Sequence, residues 1–316
     1  MSRRCALART GVLVGAAFAG KGLVVEAAAP EPTATPTVAS FRYCLNMATL
    51  RGHKLGIVKE IQVAAEAGYD ALEPWVDALQ EFTRNGGALR DLKQRILDAG
   101  LTVEGAIGFA EWIVDDDARR SQGLERAKRD MDLVAQIGGR RLAAPPAGAT
   151  GLPKLDLAKA AERYRALLEA GQQIGLAPIL ELWGFSQNLG RLGECVAVAM
   201  ETGHPAACVL PDVFHLHKGG SDVRGLRLLG PAAVPVLHLN DYHADVPREK
   251  VDDSARVYPG DGGAPLTDIL RLLHGTGGAK VLSLELFNRK YWAEDALAVA
   301  KTGLARMKAA VAKAGL

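Results

Sequence analysis

From about residue 41 onward, short apolar runs alternate with longer segments in which apolar residues return every three or four positions. The runs are FRYCLN (41–46), ALEPW (71–75), LTVEGAIGF (101–109), RRLAAP (140–145), APILELW (177–183), AACVLPD (206–212), VPVLHLN (234–240) and AKVLSLELF (279–287). Their length and apolar content predict strands. Between them, GIVKEIQVAAEAG (56–68), LERAKRDMDLVAQIGG (124–139) and DLAKAAERYRALLEAGQQIG (156–175) carry the helical period. Gly68, Gly100, Gly138, Gly175, Gly203, Gly230 and Gly277 each stand shortly before the next run, where a helix ends in a left-handed residue. This repeat of strand and helix predicts an α/β fold, a single closed (β/α)8 TIM barrel, for which about 250 residues is typical. An open doubly wound sheet competes with it, but no glycine-rich phosphate turn follows the first strand.

In such a barrel the chemistry gathers where the strands end, at the C-terminal mouth. Here the fifth run ends near Glu181, the sixth at Asp212, the seventh near His238 and the eighth near Glu285. Adjacent strands lie about 4.8 Å apart, so four consecutive strand ends can meet at one point. Three buried carboxylates would repel one another unless a cation neutralised them. Glu181, Asp212, His238 and Glu285 are therefore expected to hold one divalent metal ion. An oxygen-rich donor set favours Mn²⁺, with Mg²⁺, Co²⁺ and Zn²⁺ as alternatives. In PDVFHLHKGG (211–220), Asp212 is then a ligand and His215 reaches the mouth from the loop that follows. His217 and Lys218 are expected to be solvated loop residues.

The first forty residues differ in kind. Ser2-Arg3-Arg4 leads into an uncharged apolar stretch, Thr10–Gly20, then Ala27–Ala29 and EPTATPT. A basic start, a short apolar middle and small residues before a polar linker describe an export leader. The arginine pair points to the twin-arginine route, although RRCAL lacks the usual aromatic residue two places on. Residues 1–40 are thus read as leader and linker, 41–316 as the barrel, and the location as periplasmic or extracellular. The apolar stretch is too short for a stable membrane span. Removing the leader takes Arg3, Arg4, Arg9 and Lys21 against Glu26 and Glu31, so the net charge of +2 falls to zero. A neutral barrel has no electrostatic footprint for nucleic acid. The remaining cysteines, Cys44, Cys195 and Cys208, have neither zinc spacing nor a disulfide framework and are expected to be buried.

GYDALEPW (68–75), ILELWG (179–184), DVFH (212–215), HLND (238–241), RVYPGDG (256–262) and SLELF (283–287) together resemble the sugar phosphate isomerase/epimerase superfamily of xylose isomerase-like barrels, and within it the inosose isomerases. The resemblance covers about residues 41–310. It implies the same divalent metal on Glu181, Asp212, His238 and Glu285, with Glu181 and Glu285 flanking the reacting carbon. It also implies that His215 and Arg256 hold substrate oxygens. The expected activity is isomerisation or epimerisation of a keto-inositol or keto-sugar by removal of a proton next to a carbonyl, with Glu181 and Glu285 as proton carriers. A lyase or hydratase acting on 3-keto-glycosides and a non-catalytic metal- or sugar-binding protein remain as rivals. An endonuclease of the same fold is disfavoured by the neutral charge.

Further residues are candidates for substrate contact. Trp75, Trp112 and Trp183 fall at or beyond strand ends, where an aromatic face suits a sugar ring or simply packs the rim. Glu73 is either an acceptor for a ring hydroxyl or a partner for an arginine such as Arg51. PGDGG (259–263) lies where many barrels bind phosphate, or is merely a turn.

Overall fold

The computed structural model describes residues 41–316, so the leader expected over residues 1–40 lies outside the described residues. The elements follow one another as β1 (Phe41–Asn46), α1 (Ile57–Ala67), β2 (Ala71–Glu73), α2 (Val76–Arg84), α3 (Leu89–Asp98), β3 (Thr102–Val103), α4 (Asp117–Gln136), β4 (Arg141–Ala144) and α5 (Leu157–Ile174). They continue as β5 (Ala177–Glu181), α6 (Leu192–Glu201), β6 (Val209–Leu210), α7 (Val213–Lys218), β7 (Val236–Leu239), α8 (Leu266–Gly275), β8 (Lys280–Leu284) and α9 (Ala296–Lys313). All strand pairs are parallel, in the orders β3-β2-β1-β8-β7 and β4-β5-β6. Two sets of backbone hydrogen bonds close the ring. Ala106 N–H donates to Arg141 O (3.1 Å) and Ala143 N–H to Ala106 O (2.9 Å), joining β3 to β4. His238 N–H donates to Pro211 O (3.0 Å), joining β6 to β7. The barrel is closed, as expected, and the open doubly wound alternative is set aside.

Side chains in a strand alternate between its two faces. Cys44, Ala71, Ile107, Ala143, Ile179, Leu210, Val236 and Val281 form an apolar cluster of their own, apart from the main core. Their neighbours Leu45, Leu72, Leu142, Leu180, Leu237 and Leu282 pack outward, in the core between strands and helices. One strand period beyond the inner set come Asn46, Glu73, Glu181, Asp212, His238 and Ser283, all buried and polar. The barrel interior is thus an apolar floor with a polar layer on top, and that layer is the mouth. Cys44, Cys195 and Cys208 are buried, as expected, and unpaired among the described residues.

Local chemistry sets the element ends. Gly68 and Gly175 close α1 and α5 with φ of 89° and 85°, a conformation that costs glycine nothing. Gly230 departs from the expectation: it is not among the positive-φ glycines and sits in an irregular turn before β7. Asp116, Asp156 and Asp295 cap α4, α5 and α9 through their side chains. The Asp116 cap starts α4 seven residues before the segment whose periodicity marked it, because its first turns are charged and carry little apolar pattern. No helix of the described residues is long and apolar enough to cross a membrane.

Glu60, in the first turn of α1, is 7% exposed, and its Oε2 has no hydrogen-bond partner among the described residues. Burial pushes its carboxyl from the ordinary 4.5 up to about 7, against the attraction of Arg51. A carboxyl that holds its proton more tightly when folded stabilises the fold below its unfolded pKa and loses that contribution as pH rises through the folded one. Stability should therefore fall between about pH 4.5 and 7 through this group. Glu60→Gln is expected to raise the unfolding free energy by about 2 kcal/mol at pH 8 and to leave it nearly unchanged at pH 5, as measured by urea denaturation.

Candidate active site

Asp212 stands two residues beyond the last residue of β6, bridged to His238, and begins α7 as its cap: its Oδ1 accepts the His215 N–H at 2.9 Å. The stretch read as a loop is therefore a helical turn. This corrects the expectation for its last residues. His217 is half-buried with its ring stacked on Tyr242 at 3.8 Å between centroids. Lys218 Nζ donates to the carbonyls of Glu249 (2.9 Å) and Val251 (2.7 Å). A helix turns both inward onto the segment after β7, whereas an extended loop would have left them in solvent. Glycines permit the close approach of the preceding loop. A Cβ on Gly184 would lie 2.3 Å from His215 O, and one on Gly219 would lie 1.9 Å from Gly190 O.

Three side chains converge at the mouth. Metal-binding atoms of Asp212, His238 and Glu285 all lie within 4.8 Å of one another. His238 Nδ1 is 3.1 Å from Glu285 Oε2 and 3.7 Å from Asp212 Oδ2. Its other ring nitrogen, Nε2, faces Glu73 Oε2 at 3.0 Å. Burial opposes the charged imidazole, but Glu285 and Glu73 together raise its pKa well above the ordinary value. Glu181 lies outside the trio, yet the charges of His238, Glu285 and Asp212 all act on it. Burial pushes its carboxyl up to about 8, and its Oε2 has no partner among the described residues.

Arg256 is buried at the centre of the carboxylates. One terminal nitrogen donates to Asp212 Oδ2 (2.6 Å) and Glu285 Oε2 (2.7 Å); the other reaches Asp253 Oδ1 (2.6 Å) and His215 Nε2 (3.1 Å). Its guanidinium lies over the rings of Phe214 (4.8 Å) and Phe287 (5.1 Å). Burial opposes its charge, while Asp212, Asp253 and Glu285 hold it protonated. Burial would likewise disfavour the Asp212 carboxylate, but Arg256, His238 and the His215 backbone N–H drive its pKa far below the usual range. The His215 pKa is lowered as well, by burial, to about 4, so its ring is neutral. Arg256 can only donate, so His215 Nε2 accepts and the ring proton sits on Nδ1. That nitrogen is buried and has no partner among the described residues.

The remaining expected residues separate. Trp183 stacks on Phe185 (5.3 Å) and faces Phe109 (6.0 Å), while Phe185 meets His215 edge-on (5.4 Å). Trp75 faces Phe109 (5.1 Å) and Phe287 (6.2 Å). These rings form a wall beside the cluster. Trp112 takes no part in it: its indole N–H donates to Pro145 O at 2.7 Å, and the ring packs against Tyr164 of α5, behind the strands. Its expected substrate contact is thereby corrected, because the polar edge is already used inside the core. Arg51 lies over Trp75 at 4.0 Å and pairs with Asp77 (2.6 Å), so it is not the partner of Glu73. Asp241 accepts the N–H groups of Gly260 (3.0 Å), Gly262 (3.1 Å) and Ala264 (2.8 Å). With its amides thus used, PGDGG is a turn built on Asp241 rather than a phosphate cradle. Sequence reasoning missed Asn46, Asn240 and Ser283. Asn240 Nδ2 donates to Asp212 Oδ2 (3.1 Å), and Asn46 Nδ2 to both Glu73 Oε2 (2.9 Å) and Glu285 Oε1 (3.1 Å).

A family model described as xylose isomerase-like TIM barrel matches residues 61–310. The chain belongs to that family. It is 24% identical over 267 residues to an inosose isomerase of Halalkalibacterium halodurans, covering 82% of this chain and 94% of the relative. It is 26% identical over 257 residues to a 3-dehydroshikimate dehydratase of Pseudomonas aeruginosa, covering 78% of this chain but 38% of that protein. Among solved structures, IOLI protein with a bound zinc atom superposes with a TM-score of 0.79 at 20% identity, covering 86% of this chain and 98% of that one. An L-ribulose 3-epimerase gives 0.70 at 18% identity, covering 87% and 96%. At these identities the solved structures establish the barrel fold alone.

Within this member of the family, the trio fits a divalent cation on its own chemistry. Two carboxylate oxygens and an imidazole nitrogen converge, and the buried His238 Nδ1, although close to Glu285, makes no well-aligned hydrogen bond among the described residues. Asp212→Ala and His238→Ala are each expected to weaken Mn²⁺ binding by about tenfold or more, as measured by calorimetric titration. Glu181→Ala should cost less, since its carboxylate stands outside the trio.

Proposed function

We propose that the chain is a divalent-cation-dependent isomerase or epimerase of a keto-inositol or keto-sugar, acting by removal of a proton next to a carbonyl. The observation that carries this reading is the pairing of two differently held buried carboxylates at one mouth. Glu285 is bound by Arg256 and Asn46, whereas Glu181 has an unpartnered oxygen and a pKa pushed up to about 8 by burial. Groups whose environments differ in this way divide the roles of acid and base. The inosose isomerase relatives, matched over most of both chains, support the substrate class.

Asp212, His238 and Glu285 would hold the cation, with Mn²⁺ favoured by the oxygen-rich set and Zn²⁺ a competitor. When bound, it supplies a Lewis acid that makes the carbon next to a substrate carbonyl more acidic. Glu181 and Glu285 carry the proton between neighbouring carbons or opposite faces. Arg256 offers fixed positive charge, and His215 offers its free Nδ1–H, to the oxygen on which negative charge develops. Trp183, Phe185 and Phe109 wall the site and keep water from the reacting carbon.

A second outcome has specific support in the dehydratase relatives. The same carbanion would expel a leaving group placed one carbon away, giving elimination in place of reprotonation. Incubating Mn²⁺-loaded protein with keto-inositols, 3-keto-sugars and 3-dehydroshikimate in D₂O separates the two by NMR. Deuterium in recovered or isomerised substrate is expected; a new double bond in the product would assign the lyase reaction instead. No deuterium uptake and no product from any substrate would overturn the proposal.

Glu285→Gln and Glu181→Gln probe the proton carriers, because an amide coordinates through oxygen but is not a base. At least one variant is expected to lose deuterium exchange by about 10²–10⁴-fold while still binding Mn²⁺. Near-normal exchange in both would transfer the proton to another group.

A further inference from the structure

Glu73 ends β2 inside the barrel and is 2% exposed. Its Oε2 collects three polar groups: Asn46 Nδ2–H at 2.9 Å, Ser283 Oγ–H at 2.8 Å and His238 Nε2 at 3.0 Å. Its Oε1 lies against Gly105, where a Cβ would come within 2.5 Å of that oxygen. The carboxylate is therefore fixed at both oxygens, by hydrogen bonds on one side and by the bare backbone of a glycine on the other. It is not one of the three converging groups, and it touches them from behind through the imidazole.

The imidazole has two nitrogens and two neighbourhoods. Nε2 faces Glu73, and Nδ1 faces Glu285 Oε2 and Asp212 Oδ2. A carboxylate can only accept, so contact with Glu73 requires the hydrogen on Nε2. This orients the ring with Nδ1 toward the convergence point. Carboxylates that grip the outer nitrogen of a metal-binding histidine fix its tautomer and raise its basicity, and losing them typically costs 10–100-fold in affinity. Asn46 adds a second link, since one amide group bridges Glu73 Oε2 and Glu285 Oε1.

We propose that Glu73 is the positioning residue of the cation site, aiming His238 Nδ1 at the point shared by Asp212 and Glu285, with Asn46 and Ser283 holding Glu73 in register. Glu73 is thereby assigned to the support of the site rather than to a substrate hydroxyl. This assignment rests on Asp212, His238 and Glu285 being a cation site.

The test is metal affinity without substrate. Mn²⁺ is titrated calorimetrically into wild type, Asp212→Ala, Glu73→Ala, Glu73→Gln and Gly105→Ala, and the visible spectrum of each Co²⁺ form is recorded. Glu73→Ala is expected to weaken Mn²⁺ binding by about 10–100-fold and to alter the Co²⁺ spectrum. Glu73→Gln should recover part of that loss, because its carbonyl oxygen still accepts the imidazole N–H. Gly105→Ala, which leaves every polar group intact, should weaken binding by crowding Oε1, and it keeps the test open should Glu73→Ala fail to fold. If Asp212→Ala loses affinity while Glu73→Gln and Gly105→Ala bind Mn²⁺ like wild type with unchanged Co²⁺ spectra, the positioning role is refuted and the cation site stands. If wild type and Asp212→Ala bind equally, the cation site itself is refuted, and this proposal with it.

Discussion

Four carboxylates, Glu73, Glu181, Asp212 and Glu285, are each at most 4% exposed at one end of the barrel. Taking so much negative charge out of water is the constraint that the neighbouring structure answers. A buried ion survives only if it is paired and its lone pairs are satisfied. Arg256 bridges two of the four and is itself wedged between Phe214 and Phe287. His238 lies between Glu73 and the other pair. Glu181 is left with poor compensation, and burial makes its carboxyl hold its proton more tightly than usual. Of the four, its carboxyl is the one that the fold leaves with an unpartnered oxygen among the described residues.

Below this layer the barrel interior is built from small and branched apolar residues such as Cys44, Ala71, Ala143 and Val236. Strand alternation places the polar residue of each strand two positions beyond its floor residue: Asn46 over Cys44, Glu73 over Ala71, Glu181 over Ile179, His238 over Val236. The floor excludes water from beneath, and the aromatic wall covers one side. Electrostatic interactions at the mouth are therefore stronger than they would be at an open surface.

Much of this is legible in the sequence because the barrel repeats a simple rule. Apolar runs mark the strands, and a ligand-type residue near the end of a run marks the mouth, which is how Glu181, Asp212, His238 and Glu285 are found. The same rule applied to polar but uncharged residues would have reached Asn46 at the end of FRYCLN and Asn240 in HLND. Those amides carry no obvious chemistry alone and gain their meaning only from carboxylates far away in sequence. Trp112 misleads for a different reason. It lies beyond a strand end, but the chain bends outward there and gives its N–H to Pro145 O. The helical turn at 213–218 is hidden because two histidines and a lysine look like a solvated loop. Only the Asp212 cap and the surface against which they pack turn them inward.

Asp241 gathers the backbone amides of the turn that follows β7. Successive backbone amides turned toward one point make an anion nest, and barrels that take phosphorylated substrates leave such a nest open. Here the chain fills the nest with its own side chain. A phosphate arriving from solution would compete with a tethered carboxylate, whose effective concentration is in the millimolar range or above and does not vary with supply. The amides of this turn are thus already committed to a carboxylate of the same chain, and they offer no open seat to an anion from solution.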